Sequence, residues 1–382
     1  MIFFNKSFLY LDKKNFFIFL LFSIFYLVLP FLGTYFVFID KHINFGFSTN
    51  YQLHNFHPIF FLLSIIIYFL LFLIFKDNKS EKLSSLDEII FLDKIIIVIL
   101  CFALSFLILD FYQIINEFVK NREIFTYRGD LYNFFLNKRL THIKIIIILS
   151  VYLYDRNKVL SILCYFFIFL FCFFLKSRYE IFILALLHFY FNNFNLDKKN
   201  KNTLYLLFLL VVLIFINRFY YSFASNQNIL KDFFGEFFSV YHTSLLFFEN
   251  FFFYIKLLKF YNFIENFFKN NLLFFFKDFF YFNYLNIFDF WKGYQLNNRY
   301  ANLGTTYVVA YPIVFLFYYL LIRFIKNKFY YFPRKFYTIC FGYILIVAIR
   351  SNVVHELGFI LKLILLLFFA YYIGKMLKKI IT

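Results

Sequence analysis

The sequence predicts an all-α protein, a polytopic transmembrane helical bundle of about ten spans with a large extracytoplasmic helical loop between late spans. Three observations carry this. Of its 382 residues, 63% are hydrophobic and the mean hydropathy is +0.73, more apolar than a surface facing water allows. The apolar stretches are continuous rather than alternating, which excludes a barrel, whose strands turn every second residue into a polar lumen. Only 4 Pro and 9 Gly interrupt the chain, too few breakers for a multidomain soluble protein with long turns.

The ten stretches are 16–38, 59–75, 95–112, 143–154, 159–175, 181–194, 204–216, 304–322, 336–349 and 357–372. The first is too long for the apolar core of a removable signal, and no small-x-small site follows it, so it is expected to remain as a span. The fourth, sixth and seventh are short for a bilayer, which snorkelling flanks or shielding by neighbouring protein would accommodate. Alternating from a cytoplasmic N-terminus, the count places six basic clusters inside. They are Lys6, Lys13 and Lys14; Lys76, Lys79, Lys82 and Lys94; Arg156 and Lys158; Lys198, Lys199 and Lys201; Arg323, Lys326, Lys328, Arg334 and Lys335; and Lys375, Lys378 and Lys379. The opposite orientation would send all of them outside, against the positive-inside rule, so both termini are expected in the cytoplasm.

The chain thus reads as one integral membrane domain, 1–382, with segments 40–58, 113–142, 176–180 and 350–356 outside and one large outer loop, 217–303. Within that loop Phe233, Phe234, Phe237, Phe238, Tyr241, Leu245 and Phe248 recur at helical spacing, opposite Asp232, Glu236, Ser239 and His242. The stripe predicts an amphipathic helix lying on the membrane or capping the bundle. Core packing of an extracytoplasmic cap is the simpler use for it, a ligand groove the more specific one.

The net charge of +18 is spread along the predicted topology, so membrane lipid rather than nucleic acid is the partner it implies. The 72 Phe, with Lys outnumbering Arg, fit a biased coding composition and carry no function by themselves. Cys101, Cys164, Cys172 and Cys340 all sit in apolar stretches without metal-ligand spacing, which makes them packing residues.

Arginine is more informative. Where Lys is the default cation, a guanidinium at a membrane boundary points to use of its planar donor fork. Arg156, Arg323 and Arg334 fall inside, but Arg122, Arg128, Arg139, Arg178, Arg218, Arg299 and Arg350 fall outside, against the charge trend. A phosphate group at the outer boundary would account for them, since one fork can bind two of its oxygens. Arg178 and Arg350 lie in hairpins so tight that each is tied to two spans, although snorkelling to lipid headgroups also suits that place. Arg128, in Tyr127-Arg128-Gly129-Asp130, and Arg299, in Asn297-Asn298-Arg299-Tyr300, are also readable as solvated loop charges. His242, on the polar face of the amphipathic stretch, His355 beside Glu356, and Glu180 are the groups placed to accept a proton from a hydroxyl. The sequence has no P-loop, no G-x-G-x-x-G, no H-E-x-x-H, no C-x-x-C, no G-x-S-x-G and no D-x-D, so nucleotide-driven and carboxylate-metal chemistry have no local signature.

The whole-chain pattern resembles the Wzy-type O-antigen and capsule repeat-unit polymerases, related in organisation to the O-antigen ligases. It is carried by about ten spans, the Lys-Ser-Arg-Tyr motif at 176–179 in a tight outer hairpin, the large late loop, Asn-Leu-Gly-Thr-Thr-Tyr at 302–307 and Ile-Arg-Ser-Asn at 349–352. The resemblance implies a metal-independent, cofactor-free glycosyltransferase in the bacterial inner membrane. On its outer face it would move a glycan from undecaprenyl diphosphate to a hydroxyl of the next lipid-linked repeat, alongside a chain-length regulator. Arg178 and Arg350, then Arg128 and Arg299, would hold the diphosphate, and His242 or Glu180 would assist the acceptor hydroxyl. The outer loop is unusually Phe-rich and lacks a compact His-centred motif, which leaves the base open between those two. Three alternatives remain: a flippase for lipid-linked oligosaccharide, a ligase, and a noncatalytic assembly protein. A flippase is expected to show internal repeats and short outer loops, and neither is present.

Overall fold

The computed structural model describes residues 13–39, 58–74, 86–120, 142–174, 179–191, 198–224, 332–347 and 353–381, together with Phe237, Tyr241, Leu245 and Leu320. Every element among them is a helix. α1 runs Lys13–Ser23, passes through a π-helical turn, Ile24–Val28, and continues over Leu29–Ile39. There follow α2 (Pro58–Ile74), α3 (Leu86–Lys120), α4 (His142–Leu153), α5 (Lys158–Phe174), α6 (Tyr179–Phe191), α7 (Lys198–Ala224), α8 (Arg334–Val347) and α9 (Val353–Ile381).

Three segments, Phe16–Tyr35, Ile89–Gln113 and Phe359–Leu377, are long and apolar enough to cross a bilayer. Six shorter apolar helices, in α2 and α4 to α8, coincide with further predicted spans, while the predicted span 304–322 lies outside the described residues apart from Leu320. α9 runs past its predicted end to Ile381, and α3 and α7 overrun theirs as well. α3 has 35 residues and α7 has 27, about 52 Å and 40 Å at the α-helical rise, so each continues past the apolar core that the hydropathy marks. The end of α7 therefore occupies the first residues assigned to the outer loop. Apolar side chains line the outer faces of the long helices, among them Val98 (67% exposed) and Phe102 (66%) on α3 and Phe369 (59%) on α9. Such stripes suit lipid as solvent and would be an association hazard in water.

The chain forms two compact units. The first comprises Met1–Lys79, Ser222–Phe329 and Ile344–Lys362. In it α1 and α2 are antiparallel neighbours: Phe19 packs on Tyr68, Phe69 and Phe72, and further along Phe31 stacks on Phe61 at 4.2 Å. The Tyr68 hydroxyl donates to the Leu345 carbonyl at 3.3 Å. From the predicted amphipathic stripe, Phe237, Tyr241 and Leu245 are helical, and Tyr241 and Leu245 are buried. Phe237 meets Phe25 and Tyr26, and Tyr241 meets Phe60. The described part of the stripe is therefore packed against the helices instead of being open to a ligand.

The second unit comprises Ser80–Tyr221, Tyr330–Tyr343 and Leu363–Thr382. α4 is its centre: Ile146 to Leu149 and Val151 to Tyr154 are all at most 2% exposed. A helix wrapped by protein need not match the bilayer in length, which explains why so short a segment persists. The turn after it is tight. The amides of Arg156 and Asn157 both donate to the Leu153 carbonyl, and Asn157 then caps α5, its Oδ1 accepting from the Leu160 amide at 3.1 Å. Pro333 opens α8 in a similar way, its carbonyl accepting from the Phe336 amide.

Side-chain contacts fix which helix ends share a side of this unit. Tyr152, at the end of α4, donates to Asp93 near the start of α3, and Arg156 pairs with the same carboxylate. Lys335, at the start of α8, donates to Asp155 at 2.7 Å, the Tyr154 and Thr203 hydroxyls are hydrogen-bonded, and Gly374 near the end of α9 lies against Phe91. At the other end Phe106 stacks on His142, Phe111 meets Phe174 edge-on, and the backbone of Ile181 approaches the Cys172 thiol. α3, α5, α7 and α8 thus start, and α4 and α9 finish, at one common end that carries Lys94, Arg156, Lys158, Lys335 and Lys375.

Candidate functional site

Of the six residues that the resemblance assigns to diphosphate binding and acid-base work, the structure places Glu180, and the further candidate base His355 falls in the first turn of α9. Arg178, Arg350, Arg128, Arg299 and His242 lie outside the described residues. Glu180 stands in the first turn of α6, shortly after Lys176 and Arg178 in the sequence, and is 9% exposed. Two features favour a carboxylate there. The helix start presents the positive end of the helix dipole, and the sequence just before it is basic. Glu180 is also near enough to Cys172 in the last turn of α5 to act on it electrostatically, which puts it at the end of the second unit opposite the charge cluster.

The same end holds Asp110, 4% exposed, one residue before the Phe111 ring that packs on Phe174. Sequence reasoning passed over Asp110, yet its signal was present, because an acidic residue inside an apolar stretch is costly in a membrane and marks a site by default. In the first unit Glu356 repeats the arrangement of Glu180: it lies in the first turn of α9, 3% exposed, a few residues after Arg350. α6 and α9 thus each bury a carboxylate in their first turn, shortly after Arg178 and Arg350 in the sequence.

The common basic end of the second unit is built differently. Asp93, Asp155, Arg156 and Lys335 form cross-helix ion pairs, and Tyr152 is held between Asp93 and Arg156, whose guanidinium also lies 5.5 Å from its ring. Lys335 packs over Phe191 at 4.4 Å. Burial pulls its ammonium below the ordinary lysine range, and the Asp155 hydrogen bond works in the opposite direction. Behind these charges His188 is fully buried. Its Nδ1 is hydrogen-bonded to the Tyr165 hydroxyl at 3.0 Å, and its ring meets Tyr154 at 4.5 Å. Neither His188 nor these pairs were singled out from sequence. They tie helix ends together, which marks them as scaffold. Among the described residues no group of three or more His, Cys, Asp or Glu is arranged to hold a metal.

Comparison with protein-family models, with characterised proteins and with solved structures returns no match to this chain.

Proposed function

We propose that this protein polymerises undecaprenyl-diphosphate-linked oligosaccharide repeat units into O-antigen or capsular polysaccharide on the outer face of the bacterial inner membrane, using about ten spans. The observation that carries the reading is a carboxylate buried in the first turn of α6 and again of α9, Glu180 and Glu356, each following an arginine of the sequence, Arg178 and Arg350. The membrane orientation rests on the basic helix ends that share one side of the second unit. The positive-inside rule sends that side to the cytoplasm, and with it both termini, so Glu180 and Asp110 face outward.

In the proposed reaction an acceptor sugar hydroxyl attacks the anomeric carbon of the donor glycan, the carbon–oxygen bond to the diphosphate breaks, and the lipid diphosphate departs. Negative charge grows on the leaving group, where Arg178 and Arg350, seconded by Arg128 and Arg299, would stabilise it. A well-placed donor in a water-poor site supplies about 3 kcal/mol of such stabilisation. Glu180 or His242 would take the hydroxyl proton. The test is surface-glycan gel analysis of a deletion strain. Repeats one unit long on the lipid carrier, with the polymer ladder gone, are the expected result. Loss of all outward-facing lipid-linked material would replace the proposal with a flippase, and an intact polymer left on its carrier would replace it with a ligase.

A further inference from the structure

In the first unit the contacts set the register of α1 against α2. Phe19 stacks on Tyr68 at 5.6 Å, and three turns further along α1 Phe31 stacks on Phe61, so the two helices run antiparallel. One turn beyond Phe19 stands Ser23, and one turn before Tyr68 stands Ser64, each on the same face as the ring it follows or precedes. The next layer of this interface therefore sets two small hydroxyls opposite each other. Ser23 is 5% exposed and Ser64 is 0%, and neither Oγ has a hydrogen-bond partner among the described residues. Other described hydroxyls in apolar helices behave differently: Thr34, Ser105 and Ser150 each donate to a carbonyl three residues back, and Ser161 donates to the Ser150 carbonyl.

The backbone beside this layer is also irregular. The π-helical turn Ile24–Val28 starts at the residue after Ser23, and the Leu29 amide reaches back to the Ile24 carbonyl. Pro30 follows with no amide to give. Unpaired hydroxyls inside an apolar bundle cost free energy unless a donor or acceptor reaches them. Aromatic rings close the layer on both sides, Phe19, Tyr68 and Phe72 below and Tyr26 with Phe237 above.

We propose that Ser23 and Ser64 bind a buried water between them, making the start of the π-turn of the first helix a hydrated joint on which Phe237 rests. The neutral oxygen set fits this ligand: a buried water takes two to four polar partners, and a cation would lack a carboxylate. The site is independent of the proposed reaction.

The test uses the full chain in lipid nanodiscs with a bound antibody fragment, imaged at a resolution that shows ordered water, together with Ser23→Ala, Ser64→Ala and the double variant. Alanine at two small positions leaves the helices intact. The expected result is a water density within hydrogen-bond distance of both Oγ atoms. With it, the double variant should lower the melting temperature by about as much as either single variant, because one bridge is lost once. Both hydroxyls bonded to their own helix carbonyls with additive losses, or a direct Ser23–Ser64 hydrogen bond with no water, would overturn the proposal.

Discussion

Replacing Glu180 by Gln separates a chemical role from a structural one, because the substitution keeps the shape of a side chain that is 9% exposed and removes only its charge. The helix-dipole part of that charge's structural contribution, at the first turn of α6, is about 0.3–1 kcal/mol and no more than about 2 kcal/mol in a partly buried setting. Against a folding stability of roughly 5–15 kcal/mol this leaves the protein folded and at normal abundance. If Glu180 accepts the proton of the acceptor hydroxyl, its loss slows the transfer by about 10²–10⁴-fold, a barrier increase of roughly 3–5 kcal/mol. The assay is the surface-glycan ladder of a strain carrying Glu180→Gln, with protein abundance measured in the same membranes and chain extension measured on the purified enzyme. The expected outcome is unit-length glycan at unchanged abundance. A normal ladder refutes a chemical role. A parallel fall of protein and polymer refutes it too: Glu180 would then be neutralising a buried cation, whose stranding costs about 3–5 kcal/mol.

Arg178→Lys and Arg350→Lys should each shorten the ladder without lowering protein level, since Lys keeps charge and loses the fork; ladders of normal length in both variants remove these residues from the site. Gly342→Ala places a methyl carbon 2.7 Å from Tyr190 Cε1 and 3.4 Å from Leu187 Cδ1 in the packed interior, which costs about 1–3 kcal/mol, whereas Gly374→Ala meets the far end of the half-buried Phe91 ring at 2.9 Å and Ile95 Cδ1 only at 3.7 Å. Survival after heating in detergent, read by gel filtration, should therefore fall further for Gly342→Ala, and equal survival would contradict the packing described. A double-mutant cycle on Asp93 and Arg156, 13% and 34% exposed, should give a coupling of about 1 kcal/mol, at the upper end for partly screened pairs; strictly additive losses would show the pair to be inert. In a cysteine-free background, Lys94→Cys and Lys375→Cys should resist an impermeant thiol reagent in intact cells and react in inverted vesicles, and the reverse pattern would overturn the orientation.

The helical class was legible because hydropathy over twenty-residue windows reports the solvent directly, and that signal is strong in α1, α3 and α9. Helix limits were less legible. α3 and α7 continue beyond their apolar stretches into polar sequence that is compatible with helix but gives no periodic cue, so residues after Ile216 read as loop while the helix runs to Ala224. The shortness of α4 looked like weakness in the sequence. In the fold it marks the most enclosed helix of its unit, a distinction that depends on neighbours brought from α3, α5 and α8.

The site divides along the same line. Arg178 and Arg350 stood out by residue type and by the tight hairpins that hold them, features local to the sequence. Glu180 and Glu356 share a placement, buried in the first turn of a helix, that becomes visible only once helix starts are known. Arg156 and Lys335 had been read as topology markers and Asp93 and Asp155 not at all, and their pairing across residues 93 to 335 is beyond any local pattern. That pairing bears on the proposed function as well. With Arg156 and Lys335 drawn into cross-helix ties, the basic end is a clasp, and the proposed diphosphate site falls to the opposite end, where the carboxylates of Asp110 and Glu180 are buried.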